Sequence, residues 1–338
     1  MTEQDMKKPI PSARPPKKKK RSSGIVSGKH QWKAWLYLTP AIILLLIFTV
    51  WPILNTVGMA FLDDYNSLAA AGGQSFNVGI KNFMWVVEMP QFMTCLTNTT
   101  LLCVLTVPIS TVLALLIAVA LNSIKALQKV LQTIFFLPYV TNSIAIGMVF
   151  AAMFNIVGNT GTSGNDIIVT AGIINNIIEL FGGQAINWIN NGSSHIANMA
   201  VMVIYIVWNA LPFKILILLG GLQSINRQYY DAAKVDGTSK FRILTRITVP
   251  LLSPMLAYVV ITGFIGGFKE YTSIVGIFGE NLGPVHNPGS MNTIVGLVYD
   301  QLPAGFYGRA SAAALILFAI IFVITMINLW VSKKKVHY

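Results

Sequence analysis

Charge is scarce in this chain. Asp, Glu, Lys and Arg make up 11% of its 338 residues, whereas soluble domains carry about 25%. That shortage excludes an ordinary water-facing surface. Histidine is scarce too: His30, His195, His286 and His337 are scattered through loops and tails without ligand spacing, so no metal site is expected. The two cysteines, Cys95 and Cys103, lie eight residues apart. On a helix that is about 12 Å, too far for a disulfide. They read as small apolar core residues, and nothing follows about redox chemistry. A GxxxxGK[ST] phosphate loop is also missing. The segment Gly237-Thr238-Ser239-Lys240 has the wrong order and spacing, so the chain does not bind ATP in that manner.

Apolar residues are what the chain has in excess: 54% of the total, with a mean hydropathy of +0.64. Six runs reach the roughly 20 residues that a helix needs to cross a bilayer. They lie near Ala34–Leu62, Thr97–Leu121, Val130–Val157, Ile196–Leu222, Leu251–Tyr271 and Ala310–Val331. None alternates like a strand, and only helices or closed barrels satisfy backbone polar groups in lipid. The expected fold is therefore all-α, a polytopic membrane protein with six transmembrane helices. Pro40, Pro52, Pro108, Pro138 and Pro212 fall in or near the runs, where neighbouring helices tolerate such breaks.

The net charge of +12 fits membrane topology better than nucleic acid, because the basic residues cluster beside apolar runs. The first 33 residues hold ten Lys or Arg, and the segment 223–249 holds five. Lys125 and Lys129 sit in a third short loop, and Lys333, Lys334 and Lys335 in the C-terminal tail. The alternate side is nearly bare: 158–195 has no Lys or Arg, and 63–96 has only Lys81. This is the positive-inside pattern, with both termini cytoplasmic. Residues 1–33 read as a disordered basic cytoplasmic tail that sets orientation or touches anionic lipid. Residues 34–332 form the membrane domain, and 333–338 a second cytoplasmic tail. A cleaved signal peptide is not expected, since the first apolar run is too long. On the outer side, Gly172–Phe181 groups Ile173, Ile174, Ile177, Ile178 and Phe181 on one helical face. It either lies on the interface or packs on the bundle. The Gly- and Pro-rich segment 279–292 reads as an irregular outer loop.

The stretch YYDAAKVDGTSKFRILTRITVPLLSP, residues 229–254, is polar between two spans. Asp231 suits the start of a short helix. Ala232 and Ala233 leave a small-faced surface. Gly237 permits a left-handed turn that ends the helix. Thr238 is placed to cap a second helix, with Phe241, Leu244 and Thr248 on one face. Pro250 suits the first turn of the next span. Taken alone, this is either a docking knob for another protein or a connector whose alanines pack on their own bundle.

The order Asp231-Ala232-Ala233, three residues, Gly237, nine residues, Ile247, one residue, Val249-Pro250 resembles the EAA loop of permease subunits of binding-protein-dependent ABC importers. The family pattern has Glu where this chain has Asp231 and Leu where it has Val249. FTVWPILNTVGMAF (48–61), QTIFFLPYVTNSIAIGMVF (132–150), LLGGLQSI (218–225) and YGRASAAALILF (307–318) resemble segments of the carbohydrate-importing branch. The likeness covers roughly residues 35–332. It implies a type I ABC importer permease fold in which the loop 223–250 is a coupling element seated on a cytoplasmic ATPase. Tyr230, Asp231, Ala232, Ala233, Asp236 and Gly237 then transmit the ATPase motion. The chain itself is no enzyme and carries no cofactor; ATP and Mg belong to the partner ATPase. The implied partners are a second homologous permease, two ATPase subunits, an extracytoplasmic sugar-binding protein and the lipid bilayer, with no nucleic acid. The implied solute is a sugar, an oligosaccharide before a polyol or glycerol phosphate. Two rival classes are an ion-coupled secondary transporter, for which neither an inverted repeat nor a relay of carboxylates and histidines is seen, and a membrane scaffold without transport, which leaves the polar groups in spans three to five unexplained.

Transport sites gather where polar groups meet broken helices. Span three offers Tyr139, Asn142 and Ser143 after Pro138, as pathway groups or as interhelical hydrogen bonds; the resemblance places Tyr139 and Ser143 on the sugar site. Span four offers Trp208 for stacking, or packing, and Asn209. Lys214 snorkels inward or faces the pathway. Span five ends with Gly267, Lys269 and Glu270, which line the site or form an outer salt bridge.

Overall fold

The computed structural model describes residues 31–124, 128–159 and 168–335. The expected tail at 1–30 and the last residues, 336–338, lie outside the described residues. Two units are distinguished among those described, 31–54 and 55–335. The first holds the opening of helix α1, whose apolar run is Trp35–Ala60. Helix begins at Gln31, inside the stretch expected to be tail. A π turn, Leu46–Val50, ends two residues before Pro52. The wider turn relieves the clash a proline ring makes with the carbonyl four residues back.

In the second unit α2 (Phe92–Ser123) is an uninterrupted long helix. Span three is broken instead. α3 (Gln128–Val140) meets α4 (Ser143–Phe154) at 103°. The chain does not break at Pro138 itself but just after it, where the Asn142 side chain accepts the N–H groups of Ile144 and Ala145 and starts a new helix. After α4 comes an antiparallel hairpin of β1 (Ile156–Asn159) and β2 (Ile168–Ala171). This short hairpin lies outside the spans; every candidate span is a helix, as the expected all-α membrane fold requires. α5 (Ile173–Leu180) follows.

α6 (His195–Ser224) is the second uninterrupted long helix of this unit and packs along α2. Ala114 and Ala118 on α2 meet Leu218, Leu222 and Leu252, and such small residues let helices approach closely in lipid. Next come α7 (Arg227–Val235) and α8 (Lys240–Leu251), which meets α9 (Ser253–Gly267) at 71°. α10 (Thr272–Phe278), α11 (Ile294–Gln301) and α12 (Tyr307–Lys335) complete the chain. α12 carries helix past the expected boundary at 332. Counting each bent pair as one span gives the six expected crossings.

Cys95 and Cys103 are free and buried, packed with Phe268, Leu297 and Ala312. The segment 279–292 is tied down through α2: Asn98 Nδ2 donates to the carbonyls of Ser290 (2.8 Å) and Asn292 (3.0 Å). α5 packs on the bundle through one side chain and leaves others exposed. Ile174 packs on the core and Ile173, Ile177, Leu180 and Phe181 are exposed. The buried residue is Asn175, whose amide bonds the backbone of Ile186 and the Trp188 indole.

α4 and α10 cross at a glycine pair. A Cβ on Gly147 would lie 2.7 Å from Cα of Gly276, a backbone atom that cannot turn aside. Gly147→Leu is expected to force the helices apart and cost about 2–3 kcal/mol, as overpacked cores do. Thermal unfolding in detergent would register it as a clear drop in Tm, and an unchanged Tm would show that the crossing is not tight.

Candidate functional site

The polar stretch folds as two short helices around a left-handed turn. Asn226 caps α7 by accepting the Gln228 N–H at 3.0 Å. Asp231 is therefore mid-helix, which corrects the expectation that it starts one. It pairs with Lys234 at 3.6 Å, with both side chains exposed, an arrangement worth little stability. The two alanines divide: Ala233 is buried against the bundle and Ala232 is exposed. Tyr230 is half-buried, its hydroxyl 3.3 Å from Thr248 Oγ1.

Asp236 ends α7 and Gly237 follows at φ +66°. Gly237 N–H donates to the Lys234 carbonyl at 3.0 Å, and Thr238 N–H to the Ala233 carbonyl at 2.9 Å. This is a Schellman turn, which closes helices where a residue takes the left-handed region. The cap of α8 is Ser239, not Thr238 as expected; its hydroxyl accepts the Arg242 N–H at 3.4 Å. Pro250 lies in the last turn of α8, and Pro254 rather than Pro250 sits in the first turn of α9. Knob and span are thus joined through the elbow at Leu252.

A cavity of about 310 Å³ opens among α2, α3, α6 and α9. Tyr139, Asn209, Gly267 and Glu270 all line it, so four of the eight expected pathway residues come together. Tyr139 stacks on Phe213 with ring centres 5.8 Å apart, giving the cavity an aromatic wall. Glu270 follows the end of α9, and its carboxylate accepts the Ser273 N–H at 3.2 Å. Its carbonyl accepts the Thr293 hydroxyl at 2.9 Å.

The other four lie elsewhere. Asn142 spends its side-chain oxygen capping α4. Ser143 offers its carbonyl to the Tyr205 hydroxyl at 2.6 Å. Trp208 packs on Phe150 at 5.2 Å. Lys269 is exposed. The Trp208 placement follows from helical geometry. The cavity face of α6 is Ile206, Asn209, Ala210, Phe213 and Lys214, a three–four spacing, and a neighbour of Asn209 is turned away by about 100°.

The sequence reading missed Thr106 and Ser110, four residues apart around Pro108 on the cavity face of α2, and Thr262 on α9. Hydroxyls at i and i+4 within an apolar run were the available signal. Lys214, which had been open, lies on the cavity wall and is buried. Its ammonium donates to Ser110 Oγ at 2.6 Å, Thr111 Oγ1 at 3.0 Å and the Val107 carbonyl at 3.2 Å.

Comparison with known proteins agrees with this architecture. The chain is 29% identical to the arabinooligosaccharides transport system permease protein of Bacillus subtilis (strain 168), over 88% of each chain. It is 26% identical to the trehalose/maltose transport system permease protein of Thermococcus litoralis, over 89% of this chain and 94% of the relative. In three dimensions it is similar in fold to a chain of a bacterial ABC transporter involved in the import of the acidic polysaccharide alginate. The TM-score is 0.70 at 21% identity, over 90% of this chain and 96% of that one. Residues 110–337 match the family model described as binding-protein-dependent transport system inner membrane component, and the chain belongs to that family.

Proposed function

We propose that this chain is one of two permease subunits of an ATP-driven importer for a sugar, with an oligosaccharide as the solute. In this reading it forms half of the translocation pathway, and an extracytoplasmic binding protein delivers the solute. The loop 223–250 docks on one of two cytoplasmic ATPase subunits, which hold ATP and Mg, and both termini are cytoplasmic. The observation that carries the reading is a physical connection. The EAA-like helix α7 runs through α8 and one elbow into α9, and α9 supplies Val259, Thr262, Gly263, Gly266 and Gly267 to the cavity wall. Movement of the knob therefore has a short route to the cavity.

The sugar assignment is supported by the sugars for which the relatives are named and by the lining. An aromatic wall, an amide and several hydroxyls are the partners a sugar needs. Tyr230, Asp231, Ala232, Ala233, Asp236 and Gly237 are assigned to coupling. Tyr139, Asn209, Gly267 and Glu270 are assigned to the solute. The remaining candidates, Asn142, Ser143, Trp208 and Lys269, support the break, the packing and the exposed turn around it. Membership of a binding-protein-dependent family gives the ion-coupled alternative no support.

The direct experiment is reconstitution of this chain with a second permease and the ATPase in liposomes. Labelled arabino- and malto-oligosaccharides would be presented on a binding protein. ATP-dependent accumulation is the expected outcome. Equal uptake in liposomes lacking the ATPase would overturn the reading.

A further inference from the structure

Lys214 is a buried cation on the cavity wall, and its partners are all neutral. Its three ammonium protons are taken by the Ser110 hydroxyl, the Thr111 hydroxyl and the Val107 carbonyl. The two hydroxyls in turn direct their own protons at backbone carbonyls of α2, Ser110 at Thr106 and Thr111 at Val107. None of the ion pairs among the described residues involves Lys214. Glu270 lines the same cavity without pairing with it. Gly263 faces the ammonium across the cavity wall, where a Cβ would stand 3.3 Å from Nζ. The charge is thus held by dipoles, unbalanced by any carboxylate within bonding reach, and its donors are already engaged.

We propose that Lys214 sets the charge selectivity of this cavity, acting through its field rather than as a direct ligand, so that neutral and anionic groups enter more readily than cationic ones. The inference rests on the cavity being part of the pathway. A fixed unit charge in a site of low effective dielectric changes the free energy of a nearby ion strongly and with opposite sign for anions and cations. Pores use single buried cations in this way to exclude positive ions. A lysine that only braced α6 against α2 would do so through hydrogen bonds alone, and a neutral donor would serve as well.

The test reads the electrostatic potential without knowledge of the solute. Gly266 lines the cavity and has open space where a side chain would go. Gly266→Cys places a thiol there in the full chain, within the assembled importer. Its reaction rates with sulfonatoethyl (anionic) and trimethylammonioethyl (cationic) methanethiosulfonate are measured, each normalised to a free thiol. The chain without Gly266→Cys gives the background of the two native thiols. With Lys214 present, the anionic reagent is expected to be favoured by about tenfold or more. Lys214→Met and Lys214→Gln should lower the ratio to one or below, since Glu270 remains on the cavity wall, and Lys214→Arg should preserve it. A ratio that is the same in Met and Gln variants as with Lys214 overturns the charge proposal and leaves the pathway reading standing. A thiol that reacts with neither reagent in any background overturns both, because the cavity is then closed to water.

Discussion

Replacing Gly237 by valine is expected to cut ATP-driven uptake by about tenfold or more while basal ATP hydrolysis by the assembled importer persists. Gly237 holds φ at +66°, and no atom lies within 4 Å of where its Cβ would be. Space is therefore not the issue. The cost is the backbone conformation itself, about 1–2 kcal/mol for a residue with a Cβ and more for a β-branched one. The turn ends α7 and aims α8, so in the proposed reading relaxing it re-aims the knob relative to the ATPase while the spans stay intact. Gly237→Asn is the companion variant, because asparagine enters the left-handed region with less strain. The expected order of uptake is wild type, Asn, Val, at similar levels of assembled complex. If valine and asparagine behave alike and near wild type, the turn does not transmit coupling.

The second large effect is expected where α9 ends at the cavity. Glu270 both lines it and caps α10 through the Ser273 N–H. Alanine removes the cap as well as the polar group, so a fall in both Tm and uptake would not separate the two roles. Glu270→Gln keeps an acceptor oxygen for Ser273 and alters only the group presented to the solute. Glutamine is expected to hold Tm within about 1 °C per few tenths of a kcal/mol lost, yet lower uptake about tenfold, the loss of one strong polar contact. Tyr139→Ala should lower uptake similarly by removing the aromatic wall it makes with Phe213. Normal uptake in both Glu270→Gln and Tyr139→Ala would remove this cavity from the pathway.

Much of this was written in the sequence at the level of segments. Apolar length located all six crossings, and the small-residue and glycine pattern of 231–237 located the knob, because both depend on local chemistry. What depended on direction was harder to see. Trp208 and Asn209 are neighbours in sequence, and one step along a helix separates packing from cavity. The break after Pro138 needed the side chain of Asn142, an equally local signal that the eye reads as a solute ligand. Lys214 was ambiguous because its partners, Ser110 and Thr111, lie about a hundred positions away on another helix. The hairpin of Ile156–Asn159 with Ile168–Ala171 was hidden by apolar residues that merge into the preceding span.

The elbow at Leu252 gives the molecule a crank. α9 is 15 residues long, so Gly267 sits about 22 Å beyond the bend. A swing of about 10° there would sweep Gly267 sideways by about 4 Å. In the proposed reading, a slight tilt passed on from the α7–α8 knob would therefore shift this part of the cavity wall by a sizeable fraction of a pyranose ring's breadth.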